Sequence, residues 1–366
     1  MNLHKKAINA IDPEFLAQKE GVINGVFSTL VFPCKGNFIE WTQENKYARS
    51  VVMGSVTGDL LSAGFPKFVN LGENPANFPP PEDITDAFIV EKMDGSLCIV
   101  DIIGGEINMR TRGTHSYKTL ENAKDFEVAL AKHSLIEPWL KNHVNLTLLF
   151  EIVTPNNRIV IDYPEIDLYL IGAIRKADYS IVLQTSLDNM AAEMAVKRPP
   201  YYTFNNLSDC IKTVKAIEGK EGVCMYMPNG EIFKIKGDQY LKLHYFKSNA
   251  TSKNMLALYE ELNFPSTNEM QDYIVKTFDW ECWEYSKDIF RKLVWAKECV
   301  DRRVARLQEF VDANAALSQK EFAKGNLACN SIPDSKVAFM LRNHSKLPSI
   351  LYKKRIQTIL DNENNT

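Results

Sequence analysis

Eight residues, Leu146-Thr-Leu-Leu-Phe-Glu-Ile-Val153, constrain this chain most. The run is short and almost wholly apolar, so it reads as a buried strand, yet Glu151 sits inside it. A carboxylate there is expensive unless it is paired or faces a metal. The fold must therefore bring positive charge to the middle of a sheet. A structural ion pair, for instance with Arg158 across the following turn, meets that demand as well as a functional site does.

Other short runs lie nearby: Arg49–Val56, Ala87–Val90 and Leu97–Ile103. Bounded by Gly, Pro and Asn, they imply an antiparallel-rich α+β domain over residues 1–246. Phe78-Pro-Pro-Pro-Glu82 is an extended connector into the strand that carries Lys92. Beyond residue 247 the pattern becomes helical. From Trp283 to Val311, Phe290, Leu293, Val294, Val300, Val304, Leu307 and Val311 recur at three- and four-residue steps. Lys292, Glu298, Asp301, Arg302 and Arg306 fall mostly on the opposite side, which predicts an amphipathic helix within an all-helical C-terminal domain, 247–366. Asp361–Thr366 reads as a frayed end.

Composition narrows the class. The 366 residues are 45% apolar and 24% charged, with a net charge of −3. That excludes a coat of positive charge for indiscriminate nucleic-acid binding but leaves room for one basic groove. No apolar run approaches the length of a bilayer crossing, and Met1-Asn-Leu-His-Lys-Lys6 has no apolar stretch behind it, so neither a membrane partner nor a secretory signal is expected. The seven cysteines, Cys34, Cys98, Cys210, Cys224, Cys282, Cys299 and Cys329, show no C-x-x-C spacing, which points to a cytoplasmic protein without zinc or disulfides. His115, His133, His143, His244 and His344 show no metal-ligand pattern, and no P-loop motif is present.

Three segments carry chemistry. Glu91-Lys-Met-Asp-Gly-Ser96 places Lys92 at a strand end as a candidate nucleophile, with Gly95 allowing the backbone close to a ligand. A bare K-x-D-G arises by chance in roughly one chain of this size in ten. Glu221-Gly-Val-Cys-Met-Tyr-Met-Pro-Asn-Gly-Glu-Ile-Phe-Lys-Ile-Lys236 reads as a hairpin turning at Asn229-Gly230. On its returning strand Lys234 and Lys236 share a face, and two adjacent lysines repel unless an anion lies between them. The third segment is the run around Glu151.

Taken in order, these segments resemble the covalent nucleotidyltransferase superfamily of ligases and capping enzymes. Lys92-Met-Asp-Gly95 is similar to its first motif, Phe150-Glu-Ile-Val153 to its third, Glu221-Gly-Val223 to its fourth and Lys234-Ile-Lys236 to its fifth. Lys67-Phe-Val-Asn-Leu-Gly-Glu-Asn-Pro75, Thr154–Val160 and Gly237–His244 resemble the phage-type RNA ligase 1 family more closely.

That resemblance implies an ATP-dependent ligase joining RNA ends that bear a 5′-phosphate and a 3′-hydroxyl, with cleaved tRNA as the partner. It implies a covalent AMP on Lys92, with Arg49, Lys234 and Lys236 also catalytic. Nucleotide contacts fall to Glu91, Lys67, Asp94, Gly95, Arg112, Glu151, Glu221, Gly222, Val223 and Tyr240. Magnesium would be held by Glu151 and Glu221, directly or through water, and Glu151 has the ribose as its other candidate partner. Three positions depart from the family: Ser50 where a glycine usually follows Arg49, Val69 where it has an aromatic, and Arg112 where it has lysine. A monomer in the cytoplasm, the host's if phage-encoded, is expected, with the helical domain reading tRNA. Lys92 needs a neutral amine, and crowding by Lys234, Lys236 and a metal is expected to supply it. The competing readings are a non-catalytic nucleotide- or RNA-binding module on the same fold, and a DNA ligase or capping guanylyltransferase, which should continue into a β-rich OB-fold.

Overall fold

The computed structural model describes residues 2–278, 280–328, 332–344 and 349–363. The chain forms two compact units, Met1–Leu241 and Lys242–Thr366, dividing inside the helix Asp238–Asn249. Cys329 and residues 364–366 of the expected frayed end lie outside the described residues, and Asp361 still belongs to the helix Ser349–Glu363.

The first unit is built on antiparallel sheets. Strands β1 (Leu16–Ile23), β2 (Val26–Pro33), β3 (Val51–Gly54) and β4 (Leu60–Ala63) form one sheet in chain order. The remaining strands are β5 (Val69–Asn70), β6 (Phe88–Glu91), β7 (Ser96–Ile103), β8 (Glu106–Arg110), β9 (Leu146–Val153), β10 (Asp167–Arg175), β11 (Tyr201–Tyr202), β12 (Gly222–Tyr226) and β13 (Ile232–Lys236). They make a four-stranded sheet in the order β10-β9-β7-β8 and a five-stranded one in the order β11-β6-β12-β13-β5. Among the described strands, the short β13–β5 pairing is parallel and the others are antiparallel.

Burial explains why these segments are strands. The eight residues of β9 have neighbours on both sides, and all but Glu151 are buried. Phe150, Leu148 and Ile152 pack with Phe126, Ala129, Leu140 and Leu187 of the helices Ala123–Lys132, Ile136–Lys141 and Gln184–Met194. Each such Leu, Ile or Phe side chain contributes about 1.5–3 kcal/mol by leaving water. On the five-stranded sheet, Ile89, Val223, Met225, Phe233 and Ile235 face a second core with Cys210 and Val214 of the helix Leu207–Lys215. The alternate residues of β12 and β13 are thereby turned the other way.

A buried polar network joins two of the sheets. The Arg110 guanidinium, fully buried, donates from Nε to Ser62 Oγ (2.9 Å) and from Nη1 to Ser50 Oγ (2.8 Å). Ser62 and Thr147 both donate to Asp101. Ser50 in turn donates to the Arg112 carbonyl at 2.9 Å, so its hydroxyl ties the backbone after Arg49 to that at Arg112.

The second unit is helical: Ser252–Glu261, Thr267–Thr277, Trp280–Ala313, Gln319–Ala328, Ile332–His344 and Ser349–Glu363. Ser266 and Glu269 form a capping box at the start of the second of these. The long helix buries Phe290, Leu293, Val300 and Val311 and exposes Lys292, Glu298, Arg302 and Arg306, as its periodicity predicts. Among the described residues no helix is long and apolar enough to cross a membrane.

Candidate active site

Lys92 follows β6 directly. Its N–H donates to the Gly222 carbonyl at the start of β12 (2.9 Å), and Gly222 lies opposite Lys236 on β13. Three adjacent strands thus bring Lys92, Glu221 and Lys236 together. Glu221, 3% exposed, accepts from Lys92 Nζ on one carboxylate oxygen and from Lys236 Nζ on the other, each at 2.8 Å. Gly222 has φ +144°, and a Cβ there would meet the Ile235 carbonyl oxygen at 2.0 Å, so only glycine permits this approach.

Lys92 and Lys236 edge a cavity of about 260 Å³ between the five-stranded sheet and the β10-β9-β7-β8 sheet. Lys92, Lys234, Lys236, Arg49, Glu151 and Glu91 supply its charge, and Phe65, Phe68 and Tyr226 supply much of its apolar wall. Phe68 lies beneath two cations, the Arg49 guanidinium at 5.3 Å and Lys234 Nζ at 5.5 Å from its ring centre.

The electrostatics divide the site. Burial alone would lower the Lys92 amine, but Glu221 and then Glu151 outweigh it and hold the amine above the ordinary lysine range. Lys234 and Lys236 do not by themselves supply the expected neutral amine: the nearest charge to Lys92 is a carboxylate at 2.8 Å. The cations act on Lys234 instead. Burial, followed by Lys67, Arg49 and Lys236, pushes it down to about 8. Arg49 falls to about 10 through burial and the neighbouring Arg112. Burial lowers Lys67 too, with Glu73 opposing and Arg49 reinforcing. Glu151 rises to about 7 because burial, with Glu221 and Asp94, exceeds the pull of Lys92. Its carboxylate accepts from the Gly95 N–H at 3.2 Å, while Arg158 Nε donates to the Val160 carbonyl.

Several expected contact residues brace the pocket rather than line it. Asp94 is 4% exposed and accepts from the Val160 and Ile161 N–H groups and the Tyr240 hydroxyl, each at 2.7 Å. Lys236 Nζ sits 5.0 Å from the Tyr240 ring centre, so Tyr240 supports a site lysine from behind. Gly95 is required by its neighbours within the protein. A Cβ there would meet the Ile152 carbonyl oxygen at 2.2 Å, so it lets the Lys92 turn lie against β9. Val223 is buried in the core on the other face of β12, and it is Cys224 and Tyr226 that reach the cavity. Glu91 lines the cavity but is held by the Tyr202 hydroxyl (2.8 Å) and Lys220 Nζ (2.5 Å). Lys67 and Arg112 lie in a neighbouring groove that shares Arg49.

The sequence reading missed Phe68. The neighbouring Val69, where the resemblance implies an aromatic, is 1% exposed and belongs to the core. Strand alternation next to Val69 was the available signal. His133 Nε2 lies 2.7 Å from Asp167 Oδ1, and His143 Nδ1 lies 2.8 Å from the Trp139 carbonyl. The His344 side chain lies outside the described residues. The six described cysteines are free thiols.

As for a metal, among the described residues no group of three or more His, Cys, Asp or Glu is placed to hold one. The donor set that remains, Glu151 with Glu221 behind it, suits a hard divalent ion held chiefly by phosphates and water.

No family model matches the chain. Over 209 residues it is 24% identical to a protein of Thermovibrio ammonificans described as "Putative RNA ligase", covering 54% of this chain and 52% of that one. Over 231 residues it is 25% identical to a "Putative bifunctional polynucleotide kinase/RNA ligase" of Autographa californica nuclear polyhedrosis virus, covering 57% and 32% respectively. The similarity is to RNA ligases. The chain spans about half the length of the first relative and a third of the second. Among solved structures, an archaeal ATP-dependent RNA ligase aligns over 76% of both chains at 14% identity with a TM-score of 0.48.

Proposed function

We propose that this chain is an ATP-dependent RNA ligase of the covalent nucleotidyltransferase type, related to the phage RNA ligase 1 family. The observation that carries the reading is the shared cavity of Lys92, Lys236, Lys234 and Arg49, with Glu221 clamped between the first two lysines.

In this reading Lys92 Nζ attacks the α-phosphorus of ATP. An N–P bond forms, the bond to the β-phosphate oxygen breaks, and pyrophosphate leaves. The amine must first lose a proton, and the Glu221 oxygen at 2.8 Å is the acceptor in place. Lys236 on the other oxygen keeps that carboxylate aligned. Lys234 and Arg49, facing the Phe68 ring, stabilise charge growing on the phosphoryl oxygens. A divalent ion held by Glu151 would add further charge compensation at the phosphates. AMP then passes from Lys92 to an RNA 5′-phosphate, and a 3′-hydroxyl displaces it to join the strands.

Cleaved tRNA is the proposed substrate, magnesium the proposed ion, and tRNA reading by the helical unit the proposed source of specificity. Helices rather than a β-rich OB-fold follow residue 241, which favours an RNA ligase over a DNA ligase or capping enzyme. Incubation with α-labelled ATP and magnesium, followed by denaturing electrophoresis, should label the wild type and not Lys92→Ala. An unlabelled wild type would support a non-catalytic nucleotide- or RNA-binding module instead.

A further inference from the structure

Beside the nucleotide cavity runs a second groove of about 430 Å³, within the same unit and sharing Arg49 with it. Its walls carry Lys35, Lys67 and Arg112 as well as Arg49, with Phe38 and Trp41 between them. Among the described residues, the carboxylates paired with these cations stand off: Glu14 is 3.5 Å from Lys35 and Glu73 is 3.7 Å from Lys67. The groove therefore carries more positive than negative charge on a chain whose net charge is −3. Phe38 is 72% exposed, in the turn Gly36–Phe38. It stacks on Phe15 at 6.1 Å and 23°, which leaves its other face open. The Cys34 and Lys35 N–H groups both donate to the Phe15 carbonyl, so the chain entering the turn is fixed to the residue preceding β1.

We infer that this groove binds the 5′-phosphorylated end of a single-stranded RNA, with Phe38 stacking a base and Lys35 and Arg112 meeting the backbone. The inference rests on the ligase reading and names the route by which its RNA reaches Lys92. Cations tracking a backbone beside an exposed aromatic ring form the usual platform for single strands. Arg49, common to both spaces, places the 5′-phosphate next to the adenylate it must receive. A triphosphate tail alone would use the cations and leave the Phe38 ring idle.

The test is direct binding, read by fluorescence anisotropy of a 5′-phosphorylated, 3′-fluorescein RNA of about ten nucleotides, a length within the span of single-strand sites. Phe38→Ala should weaken binding about tenfold, the loss of one stacked base. Phe38→Trp should restore it, and Lys35→Glu should weaken it and reduce its salt dependence. Because Phe38 is exposed, a melting temperature equal to the wild type's separates lost stacking from lost folding. If Phe38→Ala binds the RNA as tightly as wild type while pyrophosphate displaces it, the groove serves the leaving group and the inference fails. Self-adenylation of the wild type is scored separately, so failure of the ligase reading is seen independently of the RNA result.

Discussion

Lys92 and Lys234 line one cavity and live in opposite fields. Lys92 leaves β6 into the carboxylate pair of Glu221 and Glu151, which holds its proton more tightly than water does. Lys234, on β13, faces Lys67, Arg49 and Lys236, and holds its proton at only about 8. The difference teaches that cation crowding and nucleophile placement are separate features here. One wall is charge-balanced and positions an amine. The other carries strained positive charge that a polyphosphate would relieve.

The comparison breaks most sharply on identity. Lys92→Arg keeps a cation beside Glu221 but removes the nucleophilic amine, and covalent labelling by ATP should vanish completely. Label that persisted in this variant would make another group the nucleophile.

Next in size is reactivity without nucleotide. At pH 8 about half of Lys234 is neutral, whereas less than about 1% of an amine above the ordinary lysine range is. A small amine-acylating reagent, read by peptide mass spectrometry, should modify Lys234 at least about a hundredfold faster than Lys92. Glu221→Gln should narrow that gap. Equal rates in the wild type would erase the contrast between the walls.

A smaller effect concerns the brace. Asp94→Ala removes the acceptor shared by the Val160 and Ile161 N–H groups and the Tyr240 hydroxyl, and should cost about 3 kcal/mol in urea unfolding. A loss below about 1 kcal/mol would mean that Asp94 does not hold the Lys92 turn.

The smallest is a gain. The folded state lowers the Lys234 pKa below its unfolded value, so the charged form opposes folding below pH 8, and the penalty fades as pH rises toward 10.4. Lys234→Met should stabilise the nucleotide-free protein by about 1 kcal/mol at pH 7, allowing for solvent screening, and by nothing near pH 11. Destabilisation at pH 7 would remove the strained wall from the account.

The comparison also marks what could be read from sequence. The strands carrying Lys92, Glu151, Lys234 and Lys236 show themselves by alternation and by apolar runs, because burial on a sheet has a two-residue period. The long helix Trp280–Ala313 shows itself by its 3.6-residue period. The site's polarity does not. Glu221 lies 129 residues from Lys92, and which carboxylate reaches an amine depends on sheet order, which no local pattern states. Gly95 and Gly222 were visible as glycines, yet the atoms they make room for, carbonyls of β9 and β13, are tertiary neighbours. Phe68 is not legible from the motif position, which falls on Val69, a residue that strand alternation turns into the core.

The most direct measurement is the mapped mass of the protein after incubation with ATP and magnesium. The account predicts one adenylyl group, on the peptide that contains Lys92. An adenylyl group on Lys234, whose amine is the more easily deprotonated of the two in this structure, would contradict it, and so would a protein left unmodified.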